Sequence, residues 1–212
     1  MELNKPEVSL LAVTPGAEKL IEEAGRTCYL SFDRMDDQSE KSFIRRCIKS
    51  GHHSILEHAS ASFRIKGVSR AFTHQLVRHR VASFSQQSQR YVSELEFNYI
   101  IPPSIEKNDR AAAVFRGYIE ESRKAYAALR ELGIKKEDAR FVLPNAIESE
   151  IVFSANFREL RHVFALRCAP GAQWEIRRVC LAMLALMQRE APSVFGDFEI
   201  DESAQTARSS LV

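Results

Sequence analysis

The segment RHRVASFSQQSQRY, residues 78–91, contains three arginines, one histidine, three serines, three glutamines and no acidic residue. Arginine binds phosphate through two parallel hydrogen bonds, and each charge-assisted bond contributes about 1.5–3 kcal/mol. Serine hydroxyls and glutamine amides add neutral contacts that fix the orientation of a ligand. The segment therefore predicts a site for small anions that carry phosphate.

The segment lies inside a longer interval without acids. No aspartate or glutamate occurs at residues 58–93, where the chain's 28 acids in 212 residues would place about five by chance. The segment begins at the end of a predicted helix and continues into a loop. A helix dipole does not favour an anion at the C-terminal end, so side chains must provide the binding. A solvated basic surface and a nucleic-acid groove are the alternatives, but a net charge of +2 and a pI of 8.4 do not favour the groove.

The hydrophobic periodicity predicts one α+β domain over residues 1–200, with more helix than strand and a central, mostly antiparallel sheet flanked by helices. The tail at 201–212 is poor in apolar residues and is predicted to be frayed. Strands are predicted at 8–13, 59–67 and 148–156, with an extended piece at 91–103. Helices are predicted at 17–31, 41–51, 68–82, 109–132, 135–144, 157–169 and 172–190, and Val114, Tyr118, Ile119 and Ala125 are placed on the inward face of the fourth.

The four cysteines show neither CxxC spacing nor clustering, which argues against a metal ribbon and a disulfide framework. The N-terminus lacks the pattern of a signal peptide, and the longest apolar run, CLAMLALM, is too short to cross a bilayer. We therefore expect a reduced, cytoplasmic protein. Cys28, Cys47 and Cys180 fall on inward helical positions, and Cys168, beside Arg167, is the one candidate for a reactive thiol.

Five blocks of the sequence together resemble the flavin-dependent thymidylate synthases. Residues 78–91 resemble the signature of that family, in which Arg-His-Arg is followed after seven residues by serine. GHHSILEH, RFVLPNA, SANFRELRHVFALR and AQWEIR resemble further blocks in the family's order, so that the resemblance covers about residues 51 to 178. The ordered set is far more specific than Arg-His-Arg alone.

This resemblance implies the synthesis of dTMP from dUMP. The one-carbon unit would come from methylenetetrahydrofolate, and the reducing equivalents would come from NADPH through bound FAD. These ligands are all anionic, which accounts for the arginine-rich segment. The resemblance also implies a homotetramer with shared active sites, no cysteine nucleophile, and neither nucleic acid nor a membrane as partner.

The resemblance assigns roles to individual residues. Arg167 is the expected catalytic residue, because it would polarise the uracil ring and favour its ionisation, and His52 is expected near the flavin and the folate. The expected cofactor-binding residues are Ser54, Arg78, His79, Arg80, Gln86, Asn156, Phe157, Arg158 and His162. The expected substrate-binding residues are Gln75, Leu76, Val77, Arg78, Gln86, Gln87, Ser88, Gln89, Arg90, Arg140 and Arg167.

Two other chemistries are weighed against this assignment. Ser88 could be a nucleophile, but no base is spaced to activate it, and a hydroxyl that contacts phosphate is sufficient. Some family members have glutamate where Gln86 stands, so a role as a base is in doubt there. His53, Glu57 and His58 have the spacing H-x-x-x-E-H, which fits no zinc motif, and we expect no metal.

Overall fold

The computed structural model describes residues 6–211. Its strands are β1 (Glu7–Val13), β2 (Ser60–Ser69), β3 (Ala82–Gln86), β4 (Glu148–Asn156), β5 (Phe198–Asp201) and β6 (Thr206–Ser209). Its α-helices are α1 (Ala17–Thr27), α2 (Ser39–Lys49), α3 (Arg70–Leu76), α4 (Pro103–Glu106), α5 (Asp109–Glu131), α6 (Lys136–Ala139), α7 (Phe157–Arg167), α8 (Trp174–Glu190) and α9 (Pro192–Phe195). Short 3₁₀ helices occur at Phe32–Arg34, His53–His58 and Arg140–Val142.

The predicted α+β class is confirmed. The fold is 50% helical and 20% strand, with a mostly antiparallel sheet flanked by helices. The order in the four-stranded sheet is β1-β2-β4-β3, and β5 pairs with β6 in a separate antiparallel hairpin. Among residues 6–211, no helix combines the length and the apolar character that crossing a bilayer requires.

Elements with a clear periodicity and a clear end signal match their predictions. Strand β4 alternates between buried and partly buried residues along its whole length, as predicted for residues 148–156. Helix α5 ends just before Gly133, and α2 ends just before Gly51. Both glycines have positive φ angles, 81° and 76°, which a residue with a Cβ atom adopts only with strain.

The predicted helix at 68–82 is wrong at both ends, because only Arg70–Leu76 is helical. Its first predicted residues continue β2, and the Ser69 hydroxyl accepts a hydrogen bond from the Phe72 backbone N–H (3.0 Å), which caps α3. After Leu76 the chain turns and enters β3, part of which the sequence predicts to be a loop. The region at 91–103, predicted to be extended, contains turns, the start of α4 and one bridge between Tyr99 and Ile147.

The prediction of a frayed tail is wrong for residues 201–209. Asp201 ends β5, and its Oδ1 accepts hydrogen bonds from the backbone N–H groups of Ser203 and Ala204, both at 2.9 Å. This carboxylate-stabilised turn allows Thr206–Ser209 to pair with β5. Polar composition concealed the hairpin, because both strands of a two-stranded ribbon can be half exposed.

The described residues group into two compact units. The first comprises residues 6–7, 66–75 and 85–151, and the second comprises residues 8–65, 76–84 and 152–211. Strands β1, β2, β3 and β4 each contribute residues to both units.

The core of the first unit forms where α5 packs on residues that flank β4. Phe97, Ile119 and Ile147 are buried there, and Tyr99, Phe115, Leu143 and Ala146 pack against them. The prediction that Val114 and Tyr118 lie on the inward face of α5 is wrong, because these residues are 76% and 58% exposed. The buried face instead contains Ala112, Ile119, Ser122 and Tyr126, and the Ser122 hydroxyl donates to the carbonyl of Val142 (2.8 Å).

The core of the second unit is aromatic. The ring of Phe153 in β4 stacks near Phe63 of β2 and Phe84 of β3, with centroid distances of 6.4 and 5.5 Å. On α7, Phe157 and Phe164 both meet Phe195 edge to face, at 5.2 and 5.7 Å. Such pairs stabilise a core beyond the effect of buried area. They fix α7, which positions the residues described next.

Candidate active site

Helix α7 begins where β4 ends, and Asn156 makes the transition between them. The Asn156 side chain accepts a hydrogen bond from the Glu159 backbone N–H (2.9 Å), so it caps the helix. The helix then places Glu159 in its first turn and Arg167 in its last turn. Cap and core together hold these two side chains on one rigid element.

His79 connects the two ends of α7. Arg167 Nε donates to His79 Nε2 at 3.0 Å, and His79 Nδ1 lies 3.2 Å from Glu159 Oε1. The ring of His162 meets that of His79 edge to face, with centroids 5.7 Å apart. The Arg-His-Arg motif and the FRELRHVFALR block, 88 residues apart at this contact, therefore meet at one buried imidazole.

The imidazole of His79 is neutral near pH 7. Only 4% of the residue is exposed, and burial lowers its pKa to about 4, with the charges of Arg167 and His162 acting in the same direction. Burial also raises the pKa of Glu159. The contact between His79 and Glu159 is therefore a hydrogen bond between an imidazole and a carboxylate rather than an ion pair.

A cavity of about 630 Å³ in the second unit adjoins this cluster. Three of the predicted cofactor-binding residues, Asn156, Arg158 and His162, contribute to its wall. Arg158 forms an ion pair with Glu57 across 2.5 Å, in which both side chains are about half exposed. The other lining residues are His53, Leu56, Glu57, Val81, Glu159, Arg161, Ala165, Phe198 and Ser209.

The remaining predicted flavin contacts in this unit lie elsewhere. Ser54 and His52 line a second cavity, of about 650 Å³, whereas His53 belongs to the first. Phe157, a predicted flavin contact, and Leu76, a predicted substrate contact, are fully buried, so neither residue is exposed to a ligand in this structure. Residues in the second cavity also include Arg26, Arg34, Arg46, Cys28 and Cys47.

Arg78 and Arg80 are exposed, as is Val77, in the turn that joins α3 to β3. Within residues 6–211, neither arginine forms an ion pair or a side-chain hydrogen bond with the protein. They flank His79, whose side chain is directed inward while theirs remain in water. Both guanidinium groups are therefore available to an anionic ligand.

The predicted nucleotide contacts of the first unit surround the end of β3. Gln86 Nε2 donates to the hydroxyls of Thr73 (2.8 Å) and Ser149 (3.3 Å), which fixes its amide. The Gln87 backbone N–H donates to the carbonyl of Glu150 (2.9 Å). The Ser88 hydroxyl accepts from the Arg90 backbone N–H at 3.2 Å, which is a local turn contact and leaves its own proton to donate.

Glu94 is the most unusual group of the first unit. It is 4% exposed, and burial raises its pKa to about 7 even though Arg70 and a 3.5 Å contact with Gln87 oppose the shift. Burial and the charge of Arg140 lower the pKa of Arg70. Arg140, a predicted nucleotide contact, is exposed, and its Nε donates to the carbonyl of Glu137 (3.0 Å). Gln75 donates to the carbonyl of Ala71, and partly buried Gln89 completes the predicted set.

The basic interval is less isolated from acids than its sequence suggests. Arg90 forms an ion pair with Glu137 at 2.5 Å, and His79 contacts Glu159. Both carboxylates come from residues far along the chain. The absence of acids from the local sequence therefore does not leave Arg90 without a counter-charge.

Burial disfavours the thiolate form of three of the four cysteines. Burial raises the pKa of Cys168 to about 12 and that of Cys180 well above its usual value. Burial also raises the pKa of Cys47, against the opposing charges of Arg46 and Arg26. The prediction that Cys28 is a core residue is wrong, because it is exposed just after α1, and Cys47 is only partly buried. The proximity of Arg167 does not activate Cys168.

A metal site at His53, Glu57 and His58 gains no support. In the described part of the chain, the one group with metal-ligand spacing is His79, Glu159 and His162. Arginine has no acceptor, so the hydrogen bond from Arg167 requires the lone pair of His79 Nε2 and places the ring proton on Nδ1. A protonated Nδ1 cannot coordinate a metal, and this hydrogen bond therefore disfavours metal binding.

Sequence reasoning missed Glu159 and Glu94. Glu159 is the third residue of α7, where an acid is usually explained by the helix dipole and the cap. Its contact with His79 spans 80 residues, which no local pattern reveals. Glu94 is the acid that ends the acid-free interval. This position, next to so many basic residues, was the one signal in the sequence that could have indicated a role for it.

Comparison with known proteins gives a consistent assignment. A family model described as "Thymidylate synthase complementing protein" matches residues 9–193. A flavin-dependent thymidylate synthase of Geobacter sulfurreducens is 44% identical over 200 residues, which cover 90% of this chain and 86% of that protein. One of Nitratidesulfovibrio vulgaris is 44% identical over 92% of this chain and 87% of its own length. The corresponding Clostridium tetani protein is 41% identical over 89% and 85%. With its five sequence blocks and a match over nearly its whole length, the chain belongs to the family of flavin-dependent thymidylate synthases.

Proposed function

We propose that this chain catalyses the reductive methylation of dUMP to dTMP. In this reaction methylenetetrahydrofolate provides the one-carbon unit, and NADPH provides reducing equivalents through bound FAD. The names of relatives at 44% identity support the proposal. The observation that carries it is the 3.0 Å hydrogen bond between Arg167 and His79, because it unites the residue expected to act on uracil with one expected to bind flavin.

The second unit has features that suit a flavin. Its cavity of about 630 Å³ lies within the usual range of cofactor sites. Asn156 and His162 present polar side chains to the cavity, and Arg158 lies at its exposed side. We assign diphosphate binding to the exposed cations Arg78 and Arg80, together with Arg158, and ring contacts to His79 and Asn156. Bound flavin would supply the reducing equivalents that convert a methylene group to a methyl group.

Arg167 is the group we assign to catalysis. Carbon 5 of uracil becomes nucleophilic when negative charge develops on the ring, and a fixed guanidinium stabilises that charge. The hydrogen bond to buried His79 restricts the rotation of this guanidinium. An arginine held in one orientation stabilises the transition state without first having to reorganise.

We assign the nucleotide to the segment around Ser88. Ser88→Ala should weaken the binding of dUMP by about tenfold, since it removes one hydroxyl hydrogen bond to a charged phosphate. Measurable turnover should remain at saturating dUMP, because the hydroxyl binds and does not react. Isothermal titration with dUMP and steady-state kinetics measure the two quantities.

The matched control for this variant is Ser85→Ala, an exposed serine three residues away. It should leave the dissociation constant of dUMP unchanged. A Ser88→Ala protein that binds dUMP normally yet has no turnover would instead make Ser88 a nucleophile.

We further propose that no cysteine takes part in covalent catalysis. Replacing each of Cys28, Cys47, Cys168 and Cys180 by alanine in turn should leave kcat within about threefold of the wild-type value, measured well below the unfolding temperature of each variant. Loss of a covalent nucleophile would instead lower kcat by about 10⁴-fold or more. Mass spectrometry of protein trapped with 5-fluoro-dUMP provides a second reading, and a cysteine adduct would refute the proposal.

A homotetramer in the cytoplasm completes the proposal. Exposed apolar side chains suit a protein that buries them against further copies: Tyr29, Leu30, Val114 and Phe141 are all more than 70% exposed. The four free cysteines suit a reducing compartment. Light scattering at several protein concentrations would measure the mass of the assembly.

Flavin content separates this proposal from its rivals. Purified protein should be yellow, or become yellow with added FAD, and its turnover should survive a strong chelator. A colourless protein that never takes up FAD would leave a nucleotide- or nucleic-acid-binding protein without catalysis. Activity that disappears with the chelator and returns with zinc would indicate a metal-dependent hydrolase.

A further inference from the structure

Glu159 lies in contact with the proposed catalytic cluster, yet nothing in the motif assigns it a role. Its carboxylate is the acceptor for His79 Nδ1 at 3.2 Å, and its side chain is 10% exposed. We propose that Glu159 is a positioning residue that keeps the His79 proton on Nδ1 and thereby orients the guanidinium of Arg167. This inference rests on the proposed function for its catalytic consequence, although its structural part can be tested without any activity.

The hydrogen-bond donors require this arrangement. Every nitrogen of arginine is a donor, so the contact from Arg167 Nε requires an unprotonated Nε2 on His79. A neutral imidazole then carries its proton on Nδ1, which must donate. Carboxylate oxygens only accept, so Glu159 favours this tautomer over the other. Donors and acceptors match along the whole series Arg167, His79, Glu159.

Without the carboxylate the Nδ1–H group would lose its acceptor, and the energy difference that favours this tautomer would become smaller. In the other one, His79 Nε2–H would face the Nε–H of Arg167, so two donors would meet. The guanidinium would then have to turn away from the ring. The orientation of Arg167 therefore depends on a residue that need not touch the substrate.

The geometry of α7 reinforces the effect. Glu159 and Arg167 are eight residues apart, which corresponds to about 12 Å along the helix axis. His79 bridges this distance and binds a side chain from each end of one helix. The Asn156 cap holds the Glu159 backbone, so the Cα atom from which the carboxylate side chain extends is held in place.

A purely local role for Glu159 makes different predictions. An acid in the first turn of a helix stabilises it through the helix dipole, by about 0.3–1 kcal/mol. That role needs no contact with His79 and has no effect on its tautomer. Glu159→Gln would then change only the stability of the protein.

The test compares Glu159→Gln and Glu159→Asp with the wild type, using full-length protein. Nitrogen-15 NMR of histidine-labelled protein, assigned with His79→Gln, gives the tautomer of His79. We expect the Nδ1–H tautomer in the wild type and a mixture in Glu159→Gln, because an amide can donate to Nδ1 as well as accept from it. Glu159→Asp keeps the charge and should restore most of the Nδ1–H form. Glu190→Gln, at the exposed end of α8, is the matched control.

Kinetics provide the second reading. Glu159→Gln should lower kcat about tenfold while KM for dUMP stays within about twofold, since orientation in the transition state is lost and ground-state binding is not. An Nε2–H tautomer in the wild type, or an unchanged tautomer in Glu159→Gln, would overturn the inference. A third outcome separates the two proposals. If the tautomer shifts in Glu159→Gln but the wild type has no thymidylate synthase activity, the positioning role is supported and the proposed function is refuted.

Discussion

Arg167→Ala should lower kcat for thymidylate formation by about 10²–10³-fold while the protein still binds flavin. The magnitude is that of removing one fixed donor from a site where negative charge develops. Flavin binding should persist because three of the predicted flavin contacts, Asn156, Arg158 and His162, lie on a cavity whose wall does not include Arg167. Single-turnover formation of dTMP and the flavin absorbance of the same sample measure the two properties.

A second reading accompanies this variant. The charge of Arg167 helps to lower the pKa of His79, after burial, so its removal should raise that pKa. Arg167→Lys should recover only part of the activity, because an ammonium group lacks the planar geometry of a guanidinium. Arg189→Ala, an exposed arginine of α8, is the control and should behave like the wild type. Unchanged turnover in Arg167→Ala would contradict the assigned role.

Asp197→Ala should lower the free energy of unfolding by about 3–5 kcal/mol, because it leaves a buried guanidinium without its partner. Asp197 accepts two parallel hydrogen bonds from Arg161, at 2.6 and 2.8 Å, and a third from the Ser209 hydroxyl at 2.5 Å. The side chains of Arg161 and Asp197 are 7% and 5% exposed. Denaturant unfolding monitored by circular dichroism measures the change.

Two matched variants separate a buried charge from a lost contact. Replacing the pair by apolar residues, Arg161→Met with Asp197→Leu, should cost far less than Asp197→Ala, because no charge is left buried. Glu199→Ala removes the exposed partner of Arg208, 3.7 Å away, and should change stability by less than about 0.5 kcal/mol. Equal losses for Asp197→Ala and Glu199→Ala would contradict the account.

The stabilisation by Asp197 depends on pH in a defined direction. Burial alone would raise its pKa, but the hydrogen bonds from Arg161 and Ser209 outweigh this effect and place the pKa below 3.8. The native state therefore favours the ionised form. This contribution is fully present above the ordinary carboxyl pKa and is lost as the pH falls through the lowered value. The difference between the wild type and Asp197→Asn should shrink in acid.

The secondary structure could be predicted where periodicity and end signals agree. Strand β4 alternates between buried and partly buried residues, and helix α7 has helical spacing after a capping asparagine. The observed start of each element matches its prediction. The boundaries of α3 could not be predicted, because its apolar spacing continues through His79 while the chain leaves the helix after Leu76. The β5–β6 hairpin was missed because the Asp201 turn was read as polar tail.

The candidate site was only partly accessible to sequence reasoning. The arginine-rich segment indicates an anion site through residue types alone, and the family blocks supply Arg167 and His79. The carboxylate partners of His79 and Arg90 could not be predicted in this way, because Glu159 and Glu137 lie 80 and 47 positions further along the chain. A sequence without an alignment contains no signal for such contacts, and tertiary packing alone brings them together.

Release of tritium from carbon 5 of labelled dUMP is the most direct test of the central claim. Release should require the protein, FAD, NADPH and methylenetetrahydrofolate together, and dTMP should form in equal amount. Release should persist in every cysteine variant and largely disappear in Arg167→Ala. Protein saturated with FAD that releases no tritium and forms no dTMP under these conditions would contradict the account.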